Sequence, residues 1–339
     1  LVGSEMCIRD SSSKIYICHT PYHLLISCVK ELKQEESPRA SIVLMDCISG
    51  VEEYRTRLEQ SGFFEKVRCV KHEDYFSSWT NTSFYKSLLW LKMSPSARRK
   101  FAFILESSEV YIFNDHRDMG AVLHHFKKQY HLLEDGCDCF KHFDQSNLPT
   151  ANKPFLRKVL KHVLNIPISM GDSRYCIDIE LNSADGLATD ISKPIIVSEK
   201  KELFAGLNEK AIKALRIIFP IGELDAEGSA ALVLTSPPEA HGKNWTEDDQ
   251  RAFYARIVSQ CQQDTVFLKP HPRDFTNYNK ISDKVIVVPR EFPIEVLDII
   301  SRKGFDVGIC YMSTALSQLE CCKRKVYLES GMEESSSVI

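Results

Sequence analysis

The sequence predicts an α/β protein of two successive doubly wound, Rossmann-like units, each a parallel sheet with helices on both faces. Short apolar β runs alternate with segments of helical spacing, the pattern of strand–helix–strand units. The alternation weakens across residues 150–195 and then restarts. A length of 339 residues also suits two such domains better than one.

The first unit opens on the β run Lys14–Cys18, which ends in His19-Thr20-Pro21-Tyr22. Pro21 sits where a helix can start, and 22–32 has helical spacing. Ser41–Met45 is a second strand, 51–60 a helix closed by Gly62, and 66–70 a third strand. A helix is expected within 84–103. Strand 110–113 runs into Asn114-Asp115, 119–127 is helical, and Tyr130–Leu133 is a strand leading into Glu134-Asp135-Gly136. Residues 155–164 suit a helix, and 165–194 show no clear period. The boundaries expected are 13–165 for the first domain and 190–330 for the second.

The second unit starts with Ala230–Leu234, followed by Thr235-Ser236-Pro237-Pro238. Thr246 and Asp249 are placed for a capping box on a helix over Glu247–Gln260. Strand 265–268 enters Lys269-Pro270-His271-Pro272. Residues 285–288 form a strand, 293–300 a helix with proline in its first turn, and 307–310 a strand. Ser313-Thr314 is expected to open a helix through Glu320, before a last strand at 325–328.

Composition narrows the function. Hydrophobic residues make up 43% and charged residues 26%, ordinary for a globular protein. The net charge of −3 and the absence of a basic stripe argue against a nucleic-acid partner. The 12 cysteines are scattered with no Cys-x-x-Cys pair, as expected of buried free thiols in a reducing compartment. No run of about 20 apolar residues predicts a membrane span, and no secretory segment is visible, so a cytoplasmic location is expected. Residues 1–12 resemble translated vector sequence and are expected to be a non-native leader. Residues 330–339 are polar and follow directly on a strand, so a closing helix is expected to be missing.

Ligands of open α/β sheets bind at the carboxyl ends of strands, and each polar cluster above lies at such an end. The flanking prolines restrict the backbone at His271, and an imidazole held there can bind a phosphate oxygen and protonate it as it leaves. An ordinary turn histidine explains the run equally well. The hydroxyls of Ser313-Thr314 beside a helix start suit a phosphate, or a plain N-cap. Glu295 can take ribose hydroxyls, or only favour a helix dipole. Asp135 can take a proton from a hydroxyl, or form only an Asp-Gly turn. No Gly-x-Gly-x-x-Gly, Walker loop or His-Glu-x-x-His occurs.

Taken in order over residues 14–330, these motifs resemble those of bacterial sialyltransferases with a GT-B fold. The nearest likeness is to glycosyltransferase family 52, the lipooligosaccharide sialyltransferases, with the polysialyltransferases related. The stretch from Ile15 to Leu25 looks like that family's first strand and loop. Glu134-Asp135-Gly136 looks like its acidic-acidic-glycine motif, and His271-Pro272 like its His-Pro motif. Phe292-Pro293-Ile294-Glu295 looks like its proline-x-glutamate segment, and Ser313-Thr314 like its hydroxyl motif, often Ser-Ser.

The resemblance implies two Rossmann-like domains facing across a cleft, an N-terminal acceptor side and a C-terminal nucleotide-sugar side. It implies inverting, metal-independent transfer of sialic acid from CMP-sialic acid to a galactose-type hydroxyl of a lipooligosaccharide or capsule, with no cofactor. By that likeness Asp135 is the base and His271 contacts the donor phosphate, as a ligand alone or also as the acid. Lys269, Pro270, Pro272, Glu295, Ser313, Thr314, Thr235 and Ser236 belong to the donor side. Thr20, Pro21, Asn114, Asp115, Glu134 and Gly136 belong to the acceptor side. Asp115, Asp248 and Asp249 are rivals for the base. The partners implied are a nucleotide-sugar donor and a glycan acceptor, with a homodimer and peripheral attachment to the inner membrane left open. Another cytidine-nucleotide transferase, with a CDP-glycerol or CMP-Kdo donor, is the alternative enzyme. A non-catalytic nucleotide-sugar-binding protein is the alternative of another class.

Overall fold

The computed structural model describes residues 13–33, 40–80, 83–136, 140, 167, 169–185, 187, 191–222, 224, 226–241, 245–301, 303–313 and 315–328. The expected leader 1–12, the expected helix 155–164, Thr314 and the segment 330–339 lie outside these. The chain divides into two compact units, Leu1–Ala205 and Gly206–Ile339.

The first unit holds β1 (Lys14–Cys18), β2 (Ser41–Met45), β3 (Val67–Val70), β4 (Glu109–Ile112), β5 (Tyr130–Leu133), β6 (Cys176–Leu181) and β7 (Ile195–Val197). They form one sheet in the order β3-β2-β1-β4-β5-β6-β7, every neighbouring pair parallel. Strands covered on both faces read as continuous apolar runs, and β1 and β2 do so. Ile15, Ile17, Val43, Ile112 and Leu132 join one core with Met119, Val122 and Leu123 of the helix Asp118–His125. Each such side chain, fully buried, contributes roughly 1.5–3 kcal/mol. That helix lies so close to the β4 exit that a Cβ on Gly120 would sit 1.9 Å from the Asp115 carbonyl oxygen, so only glycine fits there.

β6 and β7 fall in or just beyond the segment without a clear period. β6 alternates apolar residues with acids, and its acids are satisfied across the sheet. Asp178 accepts from His131 Nδ1 at 2.9 Å, and Glu180 from Lys30 Nζ at 2.6 Å. The sheet therefore runs past residue 165, where the first domain was expected to end.

The second unit holds β8 (Ala230–Leu234), β9 (Thr265–Lys269), β10 (Val285–Val287), β11 (Phe305–Tyr311) and β12 (Cys322–Leu328), parallel in the order β10-β9-β8-β11-β12. β8 is buried along its whole length at the centre of the sheet. The helix Glu247–Gln260 starts with the capping box between Thr246 and Asp249 that its sequence predicts.

The helix expected within 84–103 is Phe84–Met93, and two single turns follow at Ala97–Lys100 and Ala102–Leu105, because Ser94-Pro95-Ser96 interrupts the amide ladder. Two helical expectations are corrected. Residues 293–300 are a 3-10 turn, Ile294–Val296, followed by one α-turn, Leu297–Ile300. The helix expected through Glu320 is a 3-10 turn, Ala315–Gln318, closed by the entry into β12 at Cys322. So short an element has little dipole to offer an anion beside Ser313.

Candidate active site

In the first sheet the chain runs outward from β1 to β3, then returns to the other side of β1 as β4. The carboxyl ends of β1 and β4 thus flank a topological switch point, the usual place for a ligand. Thr20 caps the helix Pro21–Leu32, its hydroxyl accepting from the His23 amide at 3.2 Å, and Pro21 fills the first helical position. This cap sets His23 under the strand ends.

The His23 side chain is fully buried and stacks on Phe113 with ring centroids 4.2 Å apart and planes 5° apart. Its Nδ1 accepts the His19 amide at 3.0 Å, so in the neutral ring the proton is on Nε2. That nitrogen donates to Asp135 Oδ1 at 2.5 Å, and Asn114 Nδ2 donates to Asp135 Oδ2 at 2.7 Å. Asp135, its side chain 24% exposed, is therefore a solvent-reachable carboxylate held by two donors. Gly136 follows with φ of +150° and open space where a Cβ would point. Glu134 accepts the Asn182 amide at 2.6 Å and lines an open pocket with Tyr22, Glu180 and Lys200.

Asp115, expected on the acceptor side, turns inward instead. It is buried, accepts from the Tyr130 hydroxyl at 2.7 Å and the Gly171 amide at 3.0 Å, and burial pushes its pKa up. Of the other two rival bases, Asp249 is committed to Thr246, which holds its pKa down, and Asp248 pairs with Arg251 at 2.7 Å.

The second sheet repeats the plan: β8 to β10 run one way and β11 returns beside β8. Thr235 and Ser236 leave β8, His271 leaves β9, and Ser313 follows β11. The His271 amide donates to Thr235 Oγ1 at 2.9 Å, and that hydroxyl donates to Asp274 Oδ2 at 2.5 Å. Asp274 is buried and also accepts from the Tyr278 hydroxyl at 2.6 Å, while its amide donates to the His271 carbonyl at 2.8 Å. His271 Nδ1 accepts the Arg273 amide at 3.1 Å, which places the neutral ring's proton on Nε2. Burial, then the charges of Arg273 and Lys269, lower the His271 pKa and keep the ring neutral near pH 7.

The remaining residues expected on the donor side divide. Ser236 donates to the Tyr311 carbonyl and receives Gln250 at its own carbonyl, so it knits β8 to β11. Lys269 is buried, donating to the carbonyls of Pro270 at 3.3 Å and Arg290 at 3.2 Å over the Phe292 ring. Burial lowers its pKa to about 8, against the opposing pull of Glu295 and Glu291. Glu295 sits in the 3-10 turn after Pro293. Ser313 accepts the Ala315 amide at 3.2 Å, and Met312 before it has a left-handed φ of +44° that turns the chain out of β11. Pro272 is exposed in the turn after His271. Asp274 carried no motif of its own in the sequence, and His23 lay within the stretch from Ile15 to Leu25 with no role of its own. Their roles depend on partners 39 and 112 residues away.

Comparison with known proteins follows from this geometry. The model of glycosyltransferase family 52 matches residues 56–329. An uncharacterized protein of Haemophilus influenzae is 25% identical over 194 residues, which cover 56% of this chain. The chain spans 58% of the length of that relative. The crystal structure of an alpha/beta-galactoside alpha-2,3-sialyltransferase from Photobacterium phosphoreum superposes with a TM-score of 0.57 at 14% identity, covering 97% of this chain and 94% of that one. Among the described residues no helix is long and apolar enough to cross a membrane.

Proposed function

We propose that this chain, which belongs to glycosyltransferase family 52 and has the GT-B fold, moves sialic acid from CMP-sialic acid to a galactose-type hydroxyl of a surface glycan. The observation that carries the reading is the pair of strand-end devices: Asp135 held by His23 and Asn114, and His271 held by Thr235 and Arg273. Asp135 takes the proton of the acceptor hydroxyl, whose oxygen attacks the anomeric carbon opposite the departing phosphate, so configuration inverts. The bond from that carbon to the phosphate oxygen breaks and CMP leaves. His271 donates a hydrogen bond from Nε2 to the phosphate oxygen that gains charge, and Ser313 and Thr314 share that load. Glu295 takes the ribose hydroxyls. The departing phosphate monoester carries less total charge than a nucleoside diphosphate would, and neutral donors suffice for it without a metal ion. The acceptor is a lipooligosaccharide or capsular glycan met at the cytoplasmic face of the inner membrane.

A donor screen tests this. With lactose as acceptor, CMP-sialic acid should give a sialylated product detected by mass spectrometry, and CDP-glycerol and CMP-Kdo should not. Preference for either of the latter would replace the donor. Binding of CMP-sialic acid with no turnover of any donor would make the chain a nucleotide-sugar-binding protein.

A further inference from the structure

The carboxyl edge of the first sheet carries a second polar cluster that Asp135 does not use. Cys18 pairs with Leu44 of β2 and Ile17 with Ile112 of β4, so His19, Cys47 and Arg117 leave the sheet along one edge. His19 is 4% exposed, and neither ring nitrogen has a hydrogen-bond partner. Buried polar groups are normally satisfied, and a buried imidazole with both nitrogens idle is unusual. Arg117 stands at the cap of the helix Asp118–His125, where a guanidinium accepts nothing from the free amides. Its side chain is half-buried and makes no hydrogen bond, ion pair or ring contact among the described residues, while its carbonyl accepts the Ala121 amide at 3.1 Å. Its charge is near enough to help keep His19 neutral and to favour the Cys47 thiolate.

The neighbouring groups are already engaged. Asp118 accepts the Met119 amide through Oδ1 at 3.1 Å, and its buried Oδ2, 3.2 Å from His72 Nε2 but not hydrogen-bonded, feels the Arg117 charge. Asp46 accepts the His72 amide at 2.8 Å. Cys47 donates to the His19 carbonyl at 3.3 Å, and His23 is taken by Asp135. What is left is one cation, its charge offset in part by Asp118, and one buried imidazole, neither side chain hydrogen-bonded among the described residues, at a switch point and beside a helix N-terminus.

We propose that Arg117 and His19 form a subsite for an anionic group, a phosphate or a carboxylate, carried by the acceptor. The assignment to the acceptor rests on the reading of the first unit as the acceptor side. The guanidinium supplies the charge and a bidentate fork, and the neutral imidazole supplies one N–H.

The test uses the full chain with histidine rings labelled in nitrogen-15. Inorganic phosphate and acetate are titrated separately, and the His19 ring signals are followed. A saturable shift is expected with one of the two, which names the anion. Its dissociation constant should rise about tenfold or more in Arg117→Gln, and the His19 ring should no longer respond. No saturable shift with either anion, or equal affinity in Arg117→Gln, overturns the proposal. This arm needs no turnover, so it stands apart from the fate of the sialyltransferase reading. A kinetic arm compares lactose with lactose 6-phosphate or a lactose carboxylate. Arg117→Gln should lower the charged-to-neutral ratio of kcat/KM about tenfold, and an unchanged ratio would remove the acceptor as the source of the anion.

Discussion

His23 Nε2 lies 2.5 Å from Asp135 Oδ1, and the same ring is pinned through Nδ1 by the His19 amide. Asp135, the proposed base, and His23, which holds it, are 112 residues apart in the chain. The amide at Nδ1 leaves Nε2 as the donor, so His23 holds Asp135 in a fixed direction. It aims one carboxylate oxygen while Asn114 aims the other.

Replacing His23 with alanine should therefore lower kcat by roughly ten- to a hundredfold, the usual cost of losing an orienting partner. The lost stack on Phe113 should also cost about 2–4 kcal/mol of stability, read from urea unfolding. Asp135→Asn should lower kcat by about a hundredfold or more. If Asp249→Asn were the more damaging of the two, the base would move to the helix Glu247–Gln260, despite the capping box that occupies that side chain.

Turnover should also depend on the hydroxyl beneath His271. Thr235→Val keeps the shape but removes both the acceptor of the His271 amide and the donor to Asp274. We expect kcat/KM to fall about tenfold and stability by roughly 1–3 kcal/mol, with Thr235→Ser restoring both. His271→Ala should cost about a hundredfold in kcat, the range for one lost donor to a developing anion. Because burial and two cations lower the His271 pKa, kcat/KM should not fall as pH rises from 6.5 to 7.5. A steep fall across that range would show that the imidazolium is the working form.

The sequence made the strand ends legible because a strand buried on both faces must be apolar and must stop where polar residues begin. Thr20, Asn114, Asp135, Thr235 and His271 all stand at such stops. Side-chain direction was not legible. Asp115 and Asp135 both follow strands, yet one turns to the Tyr130 hydroxyl and the Gly171 amide and the other to His23. Lengths of short helices were also hidden. Residues 313–320 lack the helical run needed to outlast one turn before β12 begins, and only the sheet register fixes where it begins.

Lys269 gives a prediction about pH and stability. Its ammonium is buried against two carbonyls, and its pKa is lowered to about 8 from the 10.5 of a free lysine. Between those values the unfolded chain holds a proton that the folded chain has released. The folded state therefore gains stability as pH rises through this window, by about 3 kcal/mol in all. Below pH 8 the buried charge is a standing cost, offset in part by Glu295 and Glu291. Lys269→Met removes this titration while filling similar space. Urea unfolding at pH 8 and at pH 10 should show the difference in stability between parent and variant moving in the parent's favour at the higher pH. A difference that stays constant would mean that the lysine titrates as it does in solvent. The variant also loses the tie from the β9 exit to the Arg290 carbonyl, the segment that leads to Glu295. Its KM for the nucleotide donor should therefore rise more than its kcat falls, because the ammonium positions the donor-side turn and does not itself touch the reacting atoms.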